Sequence, residues 1–240
     1  MATLLVVGAT GMTGMPLVEQ LLANNHQVRI IVRSTEKFSA NVLAHKNLMI
    51  FEHSVLDINE HNMATYVQGC DAVVSCLGHV LSFNGMFGEP KRLCTDALQR
   101  LCAAIEANRE AQSTKVILMN TVGVKNSESD VPRSGYERAL LGLLSFSIPP
   151  QRDNETAAAF LQQKVGKNNQ YLEWSIVRPD TLINADLSLY DVQAAPTTGI
   201  FSGRPTTRAN VAHFMVQLIE DDELWQQWKF NMPVIMNRID

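Results

Sequence analysis

The sequence predicts an α/β fold in which helices cover both faces of a mostly parallel sheet. Strand and helix patterns alternate along the chain, and the strands are short continuous apolar runs such as residues 4–7 and 116–119. Continuous apolar strands are typical of a parallel sheet that is buried on both faces. The chain has 240 residues, of which 46% are hydrophobic, which is enough to bury one such core. We therefore expect a single domain over residues 1–240.

The alternation gives the elements in chain order. Apolar runs bounded by turn residues predict strands near residues 3–8, 27–32, 48–52, 72–76, 115–120 and 172–177. Apolar residues at helical spacing predict helices near 12–24, 59–68, 90–108 and 153–165. Because helices connect successive strands, the fold is expected to be doubly wound. Trp225 and Trp228 lie at helical spacing in the last segment, 222–240. Core capping is the first interpretation of that segment, and a homodimer contact is the second.

The turn after the first strand carries glycines at three-residue spacing. An apolar strand precedes this turn, a helical pattern follows it, and a second strand closes the unit at 28–32. In such a unit the glycines permit a sharp turn, the approach of the backbone to a pyrophosphate, and close packing of the helix on the sheet. The N–H groups of the helix N-terminus then face the anion. The residues predicted to bind the pyrophosphate are Gly8, Thr10, Gly11, Met12, Thr13 and Gly14. The alternative is a structural glycine turn without a ligand.

The motif Gly-Ala-Thr-Gly-Met-Thr-Gly resembles that of the extended and atypical members of the short-chain dehydrogenase/reductase superfamily, including the NmrA-like and biliverdin reductase B-like groups. Segments 75–78, 119–121 and 174–179 are similar to the ends of the family's later strands, so the resemblance spans residues 3 to about 215. It implies a Rossmann domain with substrate-side segments at about 78–90, 122–152 and 184–205, the last forming a small C-terminal substrate-side region. It also implies cofactor contacts at Asp57, Ile58, Leu77, Gly78, Asn120 and Pro179. Asp57 has a second interpretation as the cap of the following helix.

The residues after the second strand predict the cofactor. NAD-specific folds have a carboxylate about twenty residues beyond the glycines, whereas this chain has Arg33 followed by Ser34, with Lys37 nearby. A carboxylate would repel the 2′-phosphate of NADP(H), and a guanidinium can bind it through paired hydrogen bonds. We therefore expect NADP(H) to be preferred over NAD(H). The alternative is that Arg33 is an ordinary solvated side chain.

The chain departs from the catalytic pattern of the superfamily it resembles. Active members use a Tyr-x-x-x-Lys pair, in which the phenol transfers the substrate proton while nicotinamide exchanges hydride. Here Tyr136 is followed four residues later by Leu140. When the chain is aligned on its helix near residue 155, the lysine and tyrosine positions fall on Gln151 and Ser147. Both catalytic groups of the family are therefore replaced.

Three side chains remain candidates for catalysis. Thr121 follows the fifth strand and matches the family's auxiliary hydroxyl position. His79 follows the fourth strand, and an imidazole can change its charge near neutral pH. Tyr136 lies between the fifth and sixth strands. For Tyr136 the alternative is a core residue, and for His79 it is a structural histidine in a loop.

Composition argues against several other classes of protein. The net charge is −4 and the 20 Lys and Arg residues are scattered, so we expect no nucleic-acid partner. No apolar run approaches the ~18 residues of a membrane span, and the first strand begins near residue 3, so we expect a cytoplasmic protein without membrane contact. The four cysteines form no Cys-x-x-Cys pair, so we expect reduced, buried thiols. No residues stand at metal-ligand spacing, and we predict no metal site.

The sequence supports two hypotheses about function. The first is an NADPH-dependent oxidoreductase that transfers hydride to a small, partly apolar acceptor. The second is a non-catalytic regulatory protein that senses NADP(H). The missing Tyr-x-x-x-Lys pair favours the regulator, and the apolar segments beyond the strand ends, which are suited to enclosing a substrate, favour the enzyme.

Overall fold

A computed structural model describes residues 1–79, 88–126, 129–130, 149–196 and 204–238. The strands in these residues are β1 (Thr3–Val7), β2 (Gln27–Val32), β3 (Leu48–Glu52), β4 (Ala72–Ser75), β5 (Thr114–Met119), β6 (Leu172–Pro179), β7 (Thr181–Ile183), β8 (Tyr190–Gln193), β9 (Pro205–Thr207) and β10 (Val234–Asn237). The helices are α1 (Gly14–Ala23), α2 (Ala40–Leu43), α3 (Glu60–Val67), α4 (Leu93–Asn108), α5 (Pro149–Ala159), α6 (Arg208–Glu220) and α7 (Asp222–Trp228). A π-helical segment, Phe160–Val165, continues α5.

Within the described residues, eight strands form one sheet in the order β3-β2-β1-β4-β5-β6-β10-β8. Every neighbouring pair is parallel except β10 and β8, which are antiparallel. This arrangement confirms the predicted doubly wound, mostly parallel α/β fold. The chain builds outward from β1 to β3 on one side and then continues from β4 on the other. The reversal between β1 and β4 creates a crevice at the carboxyl ends of these strands, where open α/β sheets bind ligands.

The core occupies both faces of the sheet, as the apolar strands require. Along β1, Leu4 and Val6 belong to the apolar cluster on one face, together with buried residues of α1 and α6. Leu5 and Val7 belong to the cluster on the other face, with residues of α3 and α4. This separation follows from the alternation of side chains along a strand. The continuous apolar strands of the sequence are thus explained by burial on both faces.

The C-terminal segment packs on the first of these clusters. Trp225 and Trp228 are buried in it, which confirms the core-capping interpretation. The indole Nε1 of Trp225 donates to Glu173 Oε2 at 2.6 Å, and Lys229 Nζ donates to Glu173 Oε1 at 2.8 Å. These bonds fix α7 and the residue after it against β6.

The edge strand β8 carries charged side chains. Asp191 lies in the middle of β8, and its carboxylate is 2.8 Å from Arg238 Nη2 and 3.8 Å from Arg204 Nη1. The peripheral strands β7 and β9 pair only with each other, in parallel, among the residues described.

Two further sequence expectations concern cysteines and membranes. Cys70, Cys76, Cys94 and Cys102 are all free and buried, as expected. Burial raises the pKa of the Cys76 thiol to about 12. No helix in the described part of the chain has both the length and the apolar character to cross a bilayer.

Candidate cofactor-binding site

Two glycines of the turn after β1 are required by the packing of the backbone itself. Gly8 has a φ of 75°, and a Cβ atom there would lie 2.5 Å from the carbonyl oxygen of Cys76. A Cβ atom on Gly14 would lie 2.2 Å from the carbonyl oxygen of Gly8. Side chains at these positions would collide with backbone atoms that cannot move without opening the junction of β1, β4 and α1. Gly8 and Gly14 therefore hold the glycine turn against the sheet.

Gly11 has more room than the other two glycines. The N–H of Gly11 closes the turn by donating to the carbonyl oxygen of Gly8 at 2.9 Å. A Cβ atom on Gly11 would lie 3.1 Å from that oxygen and 3.9 Å from the carbonyl oxygen of Cys76. Gly11 also lines a cleft at the carboxyl ends of the strands. A side chain at position 11 would therefore fill part of the cleft, whereas it would collide less severely with the backbone than one at position 8 or 14.

A cleft of about 200 Å³ lies at the carboxyl ends of the strands. It is lined by Gly8, Thr10 and Gly11 after β1, by Arg33 and Lys37 after β2, by His53 and Ser54 after β3, and by Leu77 and Gly78 after β4. No Asp or Glu is among the described residues that line it. On one side of the cleft, a ligand can approach the backbone of the glycine turn. On the other side, the described side chains are cationic or neutral.

Several residues that the sequence predicted as cofactor ligands line this cleft. They are Gly8, Thr10, Gly11, Arg33, Leu77 and Gly78. These residues belong to four different loops, and each loop follows the carboxyl end of a strand of the sheet. The spatial grouping supports the sequence prediction for these residues.

Three other predicted cofactor ligands, which follow β1 and β2, do not line the cleft. Met12 is 62% exposed and lines a separate groove between α1 and α6. Thr13 is buried at the N-cap position of α1. Ser34 accepts a hydrogen bond through Oγ from the N–H of Glu36 at 3.2 Å. Their contact with a cofactor stays a prediction.

Asp57 and Ile58, the cofactor contacts that the resemblance implies after β3, have different environments in the structure. Asp57 is exposed, and its N–H donates to the carbonyl oxygen of Ser54 at 3.0 Å. Ile58 is buried in the core and lines a small pocket between α3 and α4. The alternative role of Asp57 as a helix cap is wrong, because Asn59 is the N-cap of α3 and its Oδ1 accepts from Asn62 N–H at 2.8 Å.

The end of β5 is held by side-chain hydrogen bonds. Asn120 Nδ2 donates to the carbonyl oxygen of Asn154 at 3.0 Å, and Asn120 Oδ1 accepts from the N–H of Thr121 at 2.9 Å. The Oγ1 of Thr121 accepts from the N–H of Gly123 at 3.2 Å. A Cβ atom on Gly123 would lie 3.2 Å from Gln151 Oε1, so Gln151 stands against the loop that follows Thr121. The alignment puts Gln151 at the position of the family's lysine. An amide side chain, in place of an amine, therefore lies against the loop after β5.

The sequence also pointed to Pro179 and Tyr136, and the alignment put Ser147 at the position of the family's tyrosine. Pro179 ends β6 and pairs with Ile235 of β10. Tyr136 and Ser147 lie outside the described residues.

The imidazole of His79 contacts a buried carboxylate and does not line the cleft. His79 Nε2 lies 2.8 Å from Asp153 Oδ2, and the two side chains are 6% and 0% exposed. The same carboxylate caps α4, because it accepts from the N–H groups of Cys94 at 2.8 Å and Thr95 at 3.0 Å. The hydroxyl of Thr95 adds a bond of 2.6 Å to Asp153 Oδ1. Burial opposes the ionisation of Asp153, but the bonds from His79, Thr95 and these backbone amides outweigh it and hold the carboxyl pKa below its usual value.

No sequence pattern indicates this cluster, in which ligand-type atoms of His79, Cys94 and Asp153 lie within 4.8 Å of one another. Its donors and acceptors are already paired. Asp153 accepts the bonds just described, and Cys94 Sγ donates to the carbonyl oxygen of Leu77 at 3.4 Å. Burial, with a smaller effect of the neighbouring Asp153, raises the pKa of the Cys94 thiol well above its usual value. We interpret the cluster as a helix cap that ties the end of β4 to α4 and α5.

A buried ion pair holds the loops beyond β5 and β8. The guanidinium of Arg178, which is 0% exposed, donates to both carboxylate oxygens of Asp130 at 2.7 and 2.9 Å. It also donates to the carbonyl oxygens of Met232, Val124 and Ala194. The arginine of the Arg-Pro ending of β6 is therefore a structural residue, and its hydrogen bonds are directed at protein groups.

Comparisons with known proteins agree with this geometry. The model of a family described as NAD(P)H-binding matches residues 8–222. No curated protein matches the chain in sequence. A short-chain dehydrogenase/reductase from Veillonella parvula, solved in complex with NADP, is similar at 15% identity and a TM-score of 0.70, over 98% of this chain and 94% of that one. ChuY, an anaerobillin reductase from Escherichia coli O157:H7, is similar at 18% identity and a TM-score of 0.66, over 98% and 97%. The oxidoreductase ylbE from Lactococcus lactis has 18% identity and a TM-score of 0.68, over 98% and 91%.

Proposed function

The chain belongs to the NAD(P)H-binding family, and from that premise we propose that it is an NADPH-dependent reductase of the atypical short-chain dehydrogenase/reductase type. Its substrate would be a small, partly apolar acceptor of hydride. The match to the NAD(P)H-binding family over residues 8–222 supports the cofactor part of this proposal.

One observation carries the preference for NADP(H). Arg33 and Lys37 line the cleft after β2, and no carboxylate lines it within the described residues. The ribose of NAD(H) is usually held by a carboxylate at this strand end. A doubly charged phosphate, in contrast, is stabilised by cations and repelled by carboxylates. The charge of this wall therefore supports NADP(H) over NAD(H).

The rest of the cleft fits the remaining parts of the cofactor. Gly11 leaves the backbone accessible, and the first turn of α1 contains no acidic side chain that would repel a pyrophosphate. Leu77 and Gly78 form the cleft wall after β4, towards the centre of the sheet. When bound, the cofactor supplies the hydride, and the chain supplies its orientation.

This chain would differ from reductases with a tyrosine and lysine pair in the source of the proton that the substrate receives. The Thr121 hydroxyl accepts from Gly123 N–H and can donate its own proton to a substrate oxygen. Thr121 has a hydroxyl of ordinary acidity, so it can orient a carbonyl but cannot replace an acid with a pKa near neutral. We propose that the acceptor receives its proton from solvent, as suits a conjugated acceptor such as a quinone or a flavin.

A second candidate function is a non-catalytic NADP(H) sensor. It is favoured by Gln151, which stands against the end of β5 at the position where the family has its catalytic lysine. A sensor and an enzyme would both bind NADPH, but only the enzyme would oxidise it.

The experiment combines binding and turnover. Fluorescence titration should give a lower Kd for NADPH than for NADH, and Arg33→Asp should raise the Kd for NADPH by roughly 10- to 150-fold, which corresponds to the ~1.5–3 kcal/mol of a charged hydrogen bond. Lys46→Asp is the control, since it makes the same charge change at an exposed site before β3. Stopped-flow oxidation of NADPH by quinones, flavins and carbonyls then distinguishes the enzyme from the sensor. A Kd for NADPH equal to or above that for NADH in the unmodified protein would overturn the proposed preference.

A further inference from the structure

The ends of β2 and β3 bring a histidine beside the basic residues of the cleft. The N–H of His53 donates to the carbonyl oxygen of Val32 at 2.8 Å, so the residues that follow these two strands are neighbours. Arg33 follows Val32 directly, and both Arg33 and His53 line the cleft. Lys37 lines it as well. The wall that supports the cofactor phosphate therefore holds two permanent cations and one side chain that can gain a proton.

Packing against α3 restricts the imidazole of His53. Its ring lies nearly parallel to the ring of Tyr66, with centroids 6.5 Å apart and an interplanar angle of 20°. Tyr66 is itself stacked on Phe51 of β3 at 3.7 Å. His53 is nevertheless exposed to solvent, so its ring is accessible to a ligand in the cleft.

The charged groups around His53 decide what its protonation does. Arg33 and Lys37 line the same cleft from the connection after β2, so the positive charges of this wall repel one another while the cleft is empty. From β2, the guanidinium of Arg29 donates to the carbonyl oxygen of Tyr66 at 2.9 Å, behind the stacked rings. A phosphate dianion in the cleft reverses this balance, because it attracts all of the cations.

Acidic residues near His53 do not contribute to the wall. Glu52 is its neighbour on β3, where successive side chains point to opposite faces of the strand. Asp57 is exposed in the next connection and does not line the cleft. Among the described residues that line the cleft, a protonated His53 would thus meet no carboxylate, and a ligand phosphate is an anion that can pair with it.

We propose that His53 is a pH-dependent specificity residue: when protonated, it adds a third positive charge to the 2′-phosphate subsite, so the preference for NADP(H) over NAD(H) increases as the pH falls. This inference rests on the proposed function, because it assumes that the 2′-phosphate binds at Arg33 and Lys37. It makes cofactor choice responsive to pH within the range in which histidines titrate.

The test is the ratio of the Kd for NADH to the Kd for NADPH, measured by fluorescence titration between pH 6.5 and 8.5. We expect this ratio to increase at least about fivefold on going to pH 6.5 in the unmodified protein, as a partly formed charged hydrogen bond would give. In His53→Gln the ratio should change by less than about twofold, since an amide keeps the polar contact but does not titrate. The 2′-phosphate itself titrates near pH 6, and His53→Gln corrects for that because the ligand is the same.

Two further variants complete the design. His61→Gln removes an exposed histidine of α3 that does not line the cleft, and it should keep the pH dependence of the unmodified protein. His53→Arg should give a high ratio at every pH, because its charge is permanent. An unchanged slope in His53→Gln would overturn the inference, as would a flat ratio in the unmodified protein that still prefers NADPH. No preference for NADPH at any pH would instead overturn the proposed NADP(H) specificity, and this inference with it.

Discussion

Replacing Asp153 of α5 by Asn should destabilise the protein more than the same replacement of Asp96, an exposed acidic residue of α4. Asp153 is 2% exposed, and its carboxylate accepts hydrogen bonds from His79, from the backbone of Cys94 and from both the backbone and the hydroxyl of Thr95. Asparagine keeps the shape of the side chain but presents an NH2 group in place of one oxygen. Whichever way the amide turns, one backbone N–H of α4 then faces a donor.

The magnitude follows from these contacts. A buried N–H without an acceptor costs about 1–3 kcal/mol, and the loss of the charge weakens the remaining bonds by a similar amount. We therefore expect a loss of about 3 kcal/mol in the free energy of unfolding, within the range for breaking a buried charged contact. In a chain of this size each kcal/mol corresponds to ~2–4 °C, so Tm should fall by ~6–12 °C.

The assay is urea unfolding at pH 7, followed by circular dichroism, with Asp96→Asn as the matched control. Asp96 lies in the first turn of α4, the helix that Asp153 caps from α5, but the Asp96 side chain is 43% exposed and pairs with Arg92 at 3.3 Å. Such exposed pairs contribute ~0–1 kcal/mol. The reasoning is refuted if Asp153→Asn costs no more than Asp96→Asn.

The pH dependence of this difference is a second readout. The pKa of Asp153 is held below its usual value, so its stabilising effect is fully present above the ordinary aspartate pKa of ~3.9 and is lost as the pH falls through the lower native value. The gap between the unmodified protein and Asp153→Asn should therefore not shrink between pH 8 and pH 5. A gap that closes within this interval would mean that the carboxylate is protonated in the folded protein.

Two further predictions concern the glycine turn and the buried ion pair. Gly11→Val should raise the Kd for NADPH roughly tenfold or more, a loss of at least about 1.4 kcal/mol, while leaving the circular dichroism spectrum unchanged; Gly14→Val, whose Cβ would lie 2.2 Å from a backbone oxygen, should lose the native spectrum. Undiminished affinity in Gly11→Val would show that the backbone does not approach the ligand there. Arg178→Met should cost about 3–5 kcal/mol in urea unfolding, because Asp130 would stay buried without its partner, and a cost below about 1 kcal/mol would contradict that account.

The elements that could be predicted from the sequence are those whose environment is uniform along the chain. Strands β1, β2, β4, β5 and β6 are buried on both faces or nearly so, and their apolar runs are visible without knowledge of the fold. The edge strand β3 is only partly buried, but its run Leu48–Phe51 is apolar as well. The spacing of Gly8 and Gly14 was equally informative, because the clashes that require glycine arise within one turn and the strand beside it. The short strands β8 and β10 were missed because four residues are too few to show a period, whether half-buried throughout as in β8 or mostly buried as in β10.

The contacts that could not be predicted join residues far apart in the chain. His79 and Asp153 are separated by 74 positions, and neither has a local pattern that points to the other. The role of His53 depends on the register of β2 and β3, which places it beside the residue after Val32. The family pattern marks the strand end at Arg33, whereas after β3 it marks Asp57 and Ile58, several residues beyond His53.

The charges on β8 have a consequence for the solution behaviour of the protein. A sheet that ends in an open strand exposes unpaired backbone groups, and these invite a second sheet to add on and begin an aggregate. Asp191 in the middle of β8 is met by both Arg204 and Arg238, so this edge carries an excess of positive charge. Two molecules that approach through this edge repel each other before their backbones can pair. Among the described residues β8 is the last strand of the sheet, and the two arginines oppose the pairing of this edge with a second molecule.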